Sequence, residues 1–552
     1  MKKHYKLLLP FVLLLSIFWY YNQSETIETS NQSTLSEVKI SEPLKSKKKK
    51  NQSSRQLFSE QRLMHEFNMQ KNPHTGLIPK EEKQRELATA LSMKENSRFR
   101  RTSTNTYVSR GPSNLGGRTR AFEVDISDAT SNTILSGGVS SGLFRTTNGG
   151  TSWTKVSPND EIHNVTALAQ DPRTGHQNKW YYATGEWYGN SASLGASYGG
   201  QGVWHSTNNG ITWTKIPGTD SQFETLDSFF DYNNALEVNP VSGNLFIAST
   251  GKIYRYDGNN LTIERELPTN NFGWTDVVIT STGRVYASLQ GSGIWTSPTG
   301  NGSWTQIAQN GTPANWASTG RIVLAEAPSN TDIIYALYAN GNSGLGNIEA
   351  DLWQYNLNTG TWTDYSSKLP DEAGGDLLGN DPFAIQSGYD LVVSVKPDNE
   401  NFVVIGGTNA YKIENISSDP TFLRIGGYAN NMDYSIYSVG GVEHHPDIHA
   451  LEFDPNNNDI LFSGTDGGVH KTTDITAASI EWASLNNNYV TYQFYHVDLA
   501  PTMGSNFVIG GAQDNGTKYG GTDIGLPNNT SMNPLSGGDG VAVGVGRLNS
   551  GL

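Results

Sequence analysis

From about residue 105 to the C-terminal end, apolar and polar positions alternate in short runs separated by Gly-, Asn- and Ser-rich turns. Period-two alternation over four to eight residues predicts half-buried β-strands. The runs recur as a unit: an alternating strand, a turn, a second run ending in Gly, an aromatic strand and a turn ending in Trp. Eight starts are legible, at Thr119–Val124, Val165–Ala169, Asn234–Val238, Trp274–Val278, Gly320–Leu324, Asp390–Ser394, His449–Phe453 and Phe494–Asp498. The spacing is roughly 40–70 residues. Several strands per unit at such a period predict an all-β fold, a β-propeller of seven or eight blades, over residues 102–552. One such sheet cannot bury both faces alone, and stacking the units around an axis supplies the core.

The first hundred residues follow another pattern. Lys2, Lys3 and Lys6 precede an apolar stretch from Leu7 to Tyr21. A basic start and ~15 apolar residues suit a secretory signal peptide better than a full span of about 20. No Ala-x-Ala site follows, so residues 1–21 read as a signal peptide or a membrane anchor. Residues 22–54 are polar and Lys-rich and read as a disordered linker. Residues 55–101 read as a short helical leader broken by a turn at Asn72-Pro73-His74-Thr75-Gly76.

Composition narrows the function classes. Gly numbers 59, aromatics make up 10% and charged residues only 17%, the balance of turn-rich β-structure. There is no Cys, which excludes disulfides, thiol nucleophiles and Cys-ligated zinc. The net charge of −14 is uneven: the first 101 residues are basic and the rest carries the acidic excess. An acidic body excludes nucleic acid as the partner. The basic N-terminal segment is the part suited to contact a membrane.

Two turns share a motif, Thr146-Thr-Asn-Gly-Gly-Thr-Ser-Trp153 and Ser206-Thr-Asn-Asn-Gly-Ile-Thr-Trp213. Both resemble the Asp-box of BNR repeats, with Asn148 and Asn208 where Asp is usual. Asn makes the same turn-closing bond to backbone N–H. Gly150 and Gly210 suit positive φ, and Trp153 and Trp213 suit packing over the hairpin. Degenerate copies run from Ser297 to Trp304, Asn356 to Trp362 and Thr472 to Trp482. The box is a folding device and says little about function.

Further motifs run through the repeats: Gly111-Pro112-Ser-Asn-Leu-Gly116-Gly117-Arg118, His444-His445-Pro446-Asp447-Ile448-His449, Phe453-Asp454-Pro455, Gly464-Thr-Asp466-Gly467-Gly468, Gly510-Gly-Ala-Gln513-Asp514-Asn515-Gly516-Thr517 and Gly537-Gly-Asp539-Gly540. In order and spacing they resemble bacterial secreted BNR propellers similar to the sortilin ectodomain and, more distantly, xyloglucan-hydrolase propellers. The stretch from Met69 to Pro79, with Arg85-Glu86-Leu87, resembles a leader of Bacteroidetes-type surface proteins. The resemblance implies an exported, secreted or cell-surface protein; an inner-membrane anchor facing the periplasm is the alternative. The sialidase pattern is missing, because no Arg-Ile-Pro is present. The first-blade turn that carries an Asp in xyloglucan hydrolases reads Gly138 to Arg145 here, without an acid.

Candidate chemistry falls into three groups. Asp466 and Asp514 occupy similar phases of neighbouring repeats, where two carboxylates serve as catalytic acid and base, hold Ca²⁺, or simply cap turns. His445, Asp447 and His449 are spaced by two. In an extended segment they share one face, a set suited to a divalent metal such as Zn²⁺ or to a hydrogen-bonded polar strand. Trp187, Tyr188 and Tyr198 flank a Gly- and Ser-rich insertion that reads as a long loop, suited to stack on a sugar or a peptide. The expected function is binding of an extracellular glycan or protein ligand, with a glycoside hydrolase as the alternative. No cofactor is fixed by the sequence, and Ca²⁺ and Zn²⁺ are the candidates.

Overall fold

The computed structural model describes residues 71–76, 85–86, 88–90, 92–93 and 108–546, except 160–162, 188–196, 222–227, 269–270, 344–345, 373–381, 429–437 and 440–441. The chain divides into two compact units, Met1–Lys80 and Glu81–Leu552. In the first, residues 71–76 form the expected turn, closed by Gly76 N–H donating to Asn72 O at 2.8 Å. The expected signal or anchor and the linker lie outside the described residues, as does most of the expected leader. Residues 85–86, 88–90 and 92–93 are helical and exposed.

The second unit is nearly all β. Among the described residues it holds eight four-stranded antiparallel sheets, each built from four consecutive strands, and a two-stranded sheet of Ser438–Val439 and Val442–Glu443. Their first strands are Thr119–Val124, Val165–Gln170, Asn233–Val238, Thr275–Ile279, Ile322–Glu326, Val392–Val395, Ile448–Asp454 and Phe494–Leu499. All eight coincide, within three residues, with the starts read from the alternation. We number the sheets 1 to 8 in this order.

The first strands of sheets 1 to 7 touch in succession, and that of sheet 7 returns to that of sheet 1. These strands therefore line a common axis. The second strands lie one layer out and are covered on both faces. Ile134–Gly138, Trp180–Thr184, Leu245–Ser249, Val285–Leu289 and Ile333–Ala339 are buried at every position. The fourth strands face solvent, as at Thr154–Lys155 and Thr361–Asp364. Among the described residues the core falls into seven clusters, one for each pair of adjacent sheets in the ring. One joins sheets 5 and 6 through Tyr335, Leu337, Val403 and Tyr411. Another closes sheet 7 on sheet 1 through Phe122, Phe144, Trp153, Phe462 and Tyr489.

Sheet 8 lies outside this ring. Polar bonds tie it to the segment before sheet 1: Asn114 Nδ2 donates to Met532 O at 3.0 Å and Ser113 N to Thr530 O at 2.8 Å. Its first strand leaves Val497 and Leu499 exposed.

The two motif turns join third to fourth strands. In the first, Gly150 N donates to Thr146 Oγ1 at 3.1 Å and Ser152 N to Asn148 Oδ1 at 3.0 Å. In the second, Gly210 N donates to Ser206 Oγ at 3.1 Å and Thr212 N to Asn208 Oδ1 at 2.9 Å. Asn thus closes both turns without a charge. Gly150 sits at φ 84° and Gly210 at φ 73°. A Cβ there would come within 2.8 Å of Leu485 or 2.6 Å of Leu135, each on the adjacent sheet's side. Each turn therefore also seals an inter-sheet seam. Trp153 is buried, meets the Tyr489 ring at 5.1 Å, and donates through Nε1 to Leu485 O at 2.7 Å. Trp213 is half-buried against Tyr182, with centroids 4.7 Å apart.

Trp153→Ala should cost about 3–5 kcal/mol in chemical denaturation, as for other buried aromatic truncations. Trp213→Ala should cost less, because part of that indole already meets water. Equal losses for the two would contradict this account of the seams.

Candidate functional site

In each ring sheet the connection into the first strand and the turn between second and third strands emerge on the same face. These segments bring distant residues together at the axis. Arg118 precedes the first strand of sheet 1, and Arg120 lies in it. Glu186 follows Trp180–Thr184, Tyr389 and Asp390 precede Val392–Val395, and Asp466 sits in the second turn of sheet 7.

Arg118 is the centre of this group. Its Nη1 donates to Glu186 Oε2 at 3.0 Å and its Nε to Asp466 Oδ1 at 3.1 Å. Arg120 pairs with the other oxygen of Glu186. All four side chains are nearly inaccessible. Tyr389 donates its hydroxyl to Asp466 at 2.8 Å, and both guanidinium groups lie about 5 Å from its ring, at 5.1 and 4.9 Å. Burial works against the Arg118 charge, but Asp466, Tyr389 and Glu186 outweigh it and hold the guanidinium well above its ordinary value. Burial likewise opposes the Asp466 charge, and Arg118 and His449 outweigh it, so this carboxylate stays ionised. Removing one partner of such a pair costs about 3–5 kcal/mol, because the other charge is left stranded.

His449 lies on the first strand of sheet 7. Burial, and then Arg120, push it down to about 3, so the ring is neutral at pH 7. Its Nε2 is 2.7 Å from Asp466 Oδ1, and with a proton on that nitrogen it donates there. Its Nδ1 then faces Asp390 Oδ1 at 3.6 Å.

The residues singled out from the sequence divide as follows. Asp447, Asp466 and Asp514 each offer a carboxylate oxygen, and these atoms lie within 4.8 Å of one another. Asp514 comes from the second turn of sheet 8, so the sheet outside the ring completes the group. His445 is elsewhere engaged: Nδ1 is 2.9 Å from Pro446 O and Nε2 is 3.1 Å from Asp514 O. The extended geometry expected across His445, Asp447 and His449 does not form. Asp447 has φ 62° and the strand begins only at Ile448, so alternation cannot place the three on one face. His444 packs against Trp482, with centroids 4.2 Å apart. The chain reverses after Phe453 and pairs Ile448 with Thr465, which brings Asp466 N within 3.3 Å of Asp447 O.

Trp187 is half-buried, with its ring edge-on to Tyr232 at 5.1 Å and stacked at 6.3 Å from Phe272. Phe272 in turn stacks on Phe229 at 4.8 Å. Tyr198 pairs through its backbone with Glu186. Tyr188 lies outside the described residues.

Two cavities open beside these groups. One, of about 50 Å³, sits on the axis between Arg120, Glu186, Trp187, Trp274, Arg321 and His449. At this size it has room for water or a small ion but not for a sugar ring, since ligand pockets run to about 300–1,000 Å³. The other, about 600 Å³, lies beside sheet 4. Among the described residues it is lined by Phe272 and by Asn271, Gln290, Gln306, Gln309 and Asn310, with no charged residue; Gln290 Oε1 accepts from Trp274 N and Gln306 Nε2 donates to Ser292 O.

Sequence reasoning missed Arg118, Arg120, Tyr389 and Asp390 as site residues. It also missed a set of glutamates. Glu123, Glu237, Glu326 and Glu452 are each the fifth residue of a first strand. Glu237 and Glu452 feel one another although their strands are not neighbours, which places both towards the axis. A charge flanked by apolar residues at one phase of four repeats was the signal available.

The comparisons bear on the fold. No protein-family model matches the chain, and no curated protein does. Solved structures do. The GH74 enzyme of Niastella koreensis superposes with a TM-score of 0.52 at 17% identity, over 76% of this chain and 60% of its own. The GH74 xyloglucanase of Xanthomonas campestris gives 0.51 at 16% identity, over 73% and 59%. An ancestral GH74 enzyme gives 0.52 at 16% identity, over 76% and 54%. The fold is a β-propeller. At these identities the likeness extends to architecture alone, and the chain spans under two thirds of the length of these structures. Among the described residues, no helix is long and apolar enough to cross a membrane.

The axial glutamates make the propeller sensitive to pH. Burial pushes Glu452 up to about 8 and Glu326 up to about 7. Burial, then neighbouring carboxylates, raise Glu123 and Glu237. Besides one another, these groups face Asp125 and Asp276. A carboxyl raised in the native state contributes stability that is fully present below its unfolded value and is lost as pH rises through the folded value. For Glu452 the window runs from about 4.5 to about 8. Melting temperature should therefore fall as pH rises from 5 to about 8.5. Glu452→Gln should flatten that slope, and an identical slope in the two proteins would show that this group does not titrate there.

Proposed function

We propose that this chain is an exported propeller of seven blades, with sheet 8 appended, that binds a neutral glycan outside the cell. The basic and apolar residues 1–21 would direct export, as signal peptide or anchor. The motif turns serve as Asp-box equivalents of BNR repeats, and the series of motifs from Gly111 to Gly540 supports kinship with sortilin-like propellers.

The observation that carries the binding reading is the amide-lined groove beside sheet 4. Side-chain amides both donate and accept hydrogen bonds without charge, which matches sugar hydroxyls. Phe272 offers an apolar ring at one edge and is continuous with Trp187, at the rim of the axial cavity. Aromatic faces flanked by neutral polar groups suit carbohydrate. A protein ligand that depended on charge would find no counter-charge in this groove.

The hydrolase alternative has less support. Two carboxylates acting on a glycosidic bond sit about 5–5.5 Å apart in retaining enzymes and about 6.5–9.5 Å apart in inverting ones. Asp466 and Asp514 present oxygens closer than this, and Asp466 is tied to Arg118, Tyr389 and His449.

A glycan array probed with the full chain should retain neutral oligosaccharides. Trp187→Ala and Phe272→Ala should each weaken binding at least about tenfold, the loss of one stacking platform, with circular dichroism unchanged. Retention of acidic glycans alone, or variants that bind like wild type, would refute the groove as the site. Release of reducing sugar by the wild-type chain would favour the hydrolase.

A further inference from the structure

Asp390, Asp447, Asp466 and Asp514 converge at the junction of sheets 6, 7 and 8. Arg118 donates a cationic hydrogen bond into the group, through Asp466. If all four were ionised, one guanidinium would leave an excess of negative charge in a largely buried region. Such charge persists in a folded protein only if protons or a cation offset it.

A second observation points to a cation. Asp390 is wholly buried, and neither of its carboxylate oxygens receives a hydrogen bond. Its charge acts on Asp447, and that of Asp466 acts on it, so it faces the cluster. A buried carboxylate with two unsatisfied oxygens lacks a partner that supplies positive charge.

The donor set decides which cation. The carboxylate oxygens of Asp447, Asp466 and Asp514 lie within 4.8 Å of one another. Oxygens on opposite sides of a Ca²⁺ ion, each at about 2.3–2.6 Å, are about 4.6–5.2 Å apart. Mg²⁺ draws its ligands in to about 2.0–2.1 Å and demands a regular octahedron. Zn²⁺ favours nitrogen or sulfur. Both ring nitrogens of His445 lie against carbonyl oxygens and Nε2 of His449 is bonded to Asp466 itself, which leaves His449 Nδ1, 3.6 Å from Asp390, as the one imidazole nitrogen of the two that faces the cluster unbonded. Asp514 is partly exposed, which leaves a route for the ion and room for water ligands.

We propose that Asp447, Asp466 and Asp514 bind a Ca²⁺ ion, with Asp390 behind Asp447 as a fourth acidic partner. Asp447 and Asp514 reach the site from left-handed backbone, at φ 62° and 54°. His445 acts as a positioning residue through its contact with Asp514 O, and Asn515 Nδ2, donating to Asp466 O at 2.9 Å, fixes the same turn. The ion would therefore bridge the ring to sheet 8.

The test uses the full chain, stripped with chelator and titrated with CaCl₂. A ligand that binds only the native state raises the melting temperature by mass action. The expected result is a saturable rise with Ca²⁺ and a smaller one with Mg²⁺ at equal concentration. Asp514→Asn, at the partly exposed edge, should weaken the apparent Ca²⁺ affinity at least tenfold. Tb³⁺ provides a second readout that does not depend on any variant folding. Its emission, excited through Tyr389, whose hydroxyl donates to Asp466, should grow on binding and be competed away by Ca²⁺. A native chain that shows neither a melting shift with millimolar Ca²⁺ nor sensitised Tb³⁺ emission overturns the proposal and leaves shared protons as what offsets the charge. An Asp514→Asn variant that binds Ca²⁺ as tightly as wild type overturns this ligand assignment.

Discussion

Every sheet in the ring needs two neighbours. Its second strand carries apolar side chains to both faces, as at Trp180–Thr184 and Ile333–Ala339, and neither face is finished until another sheet covers it. Closure meets that demand for all seven at once. Fully burying one large aliphatic or aromatic side chain contributes about 1.5–3 kcal/mol, and each seam holds several. The axis, the axial cavity and the convergence of the polar groups all follow from this closure.

Closure also creates a difficulty at its centre. Seven first strands leave a narrow bore lined by charged and polar side chains. On one side of it Arg118, Arg120, Glu186 and Asp466 form a nearly balanced set, joined by Tyr389. Further along, four glutamates face one another and are pushed towards their neutral form. The axis thus uses two different solutions to the same electrostatic problem, pairing and protonation. The aspartates beside sheet 8 combine the two, with Asp466 paired to Arg118 and Asp390, Asp447 and Asp514 pushed towards their neutral form.

What could be read from the sequence follows the range of the interactions concerned. Strand alternation is local, and the first strand of every sheet was legible from it. The turn at Thr146 to Trp153 was equally legible, because its bonds close within a few residues. That sheet 8 would stand outside the ring was not legible: its alternation resembles the others, and the number of sheets that close a ring is set by how they pack. The site was partly legible. Asp466 and Asp514 stood out beside glycine, but the backbone reversal at Asp447 depends on contacts such as Asp447 N to Thr408 O, far away in sequence. Asp390 looked like the start of a strand, with Tyr389 just before it, and only the ring brings them to Arg118 and His449.

The ring closes without sharing a strand, since every sheet is contiguous in the chain. Six seams are crossed by the polypeptide itself as it passes from one sheet to the next. The seam between sheets 7 and 1 joins the two ends of the ring, and side chains hold it: Phe122 stacks on Phe462, and Ser131 donates to Asp454. The segment leaving sheet 7 works as a latch across it. Asn488 N donates to Ser113 O, the Tyr489 hydroxyl bonds with Thr119 and Ser136, and Thr491 accepts from Gly117 N. The seven sheets are therefore not a self-sufficient module: a chain severed before Tyr489 would keep every ring strand and lose the clasp that holds the circle shut.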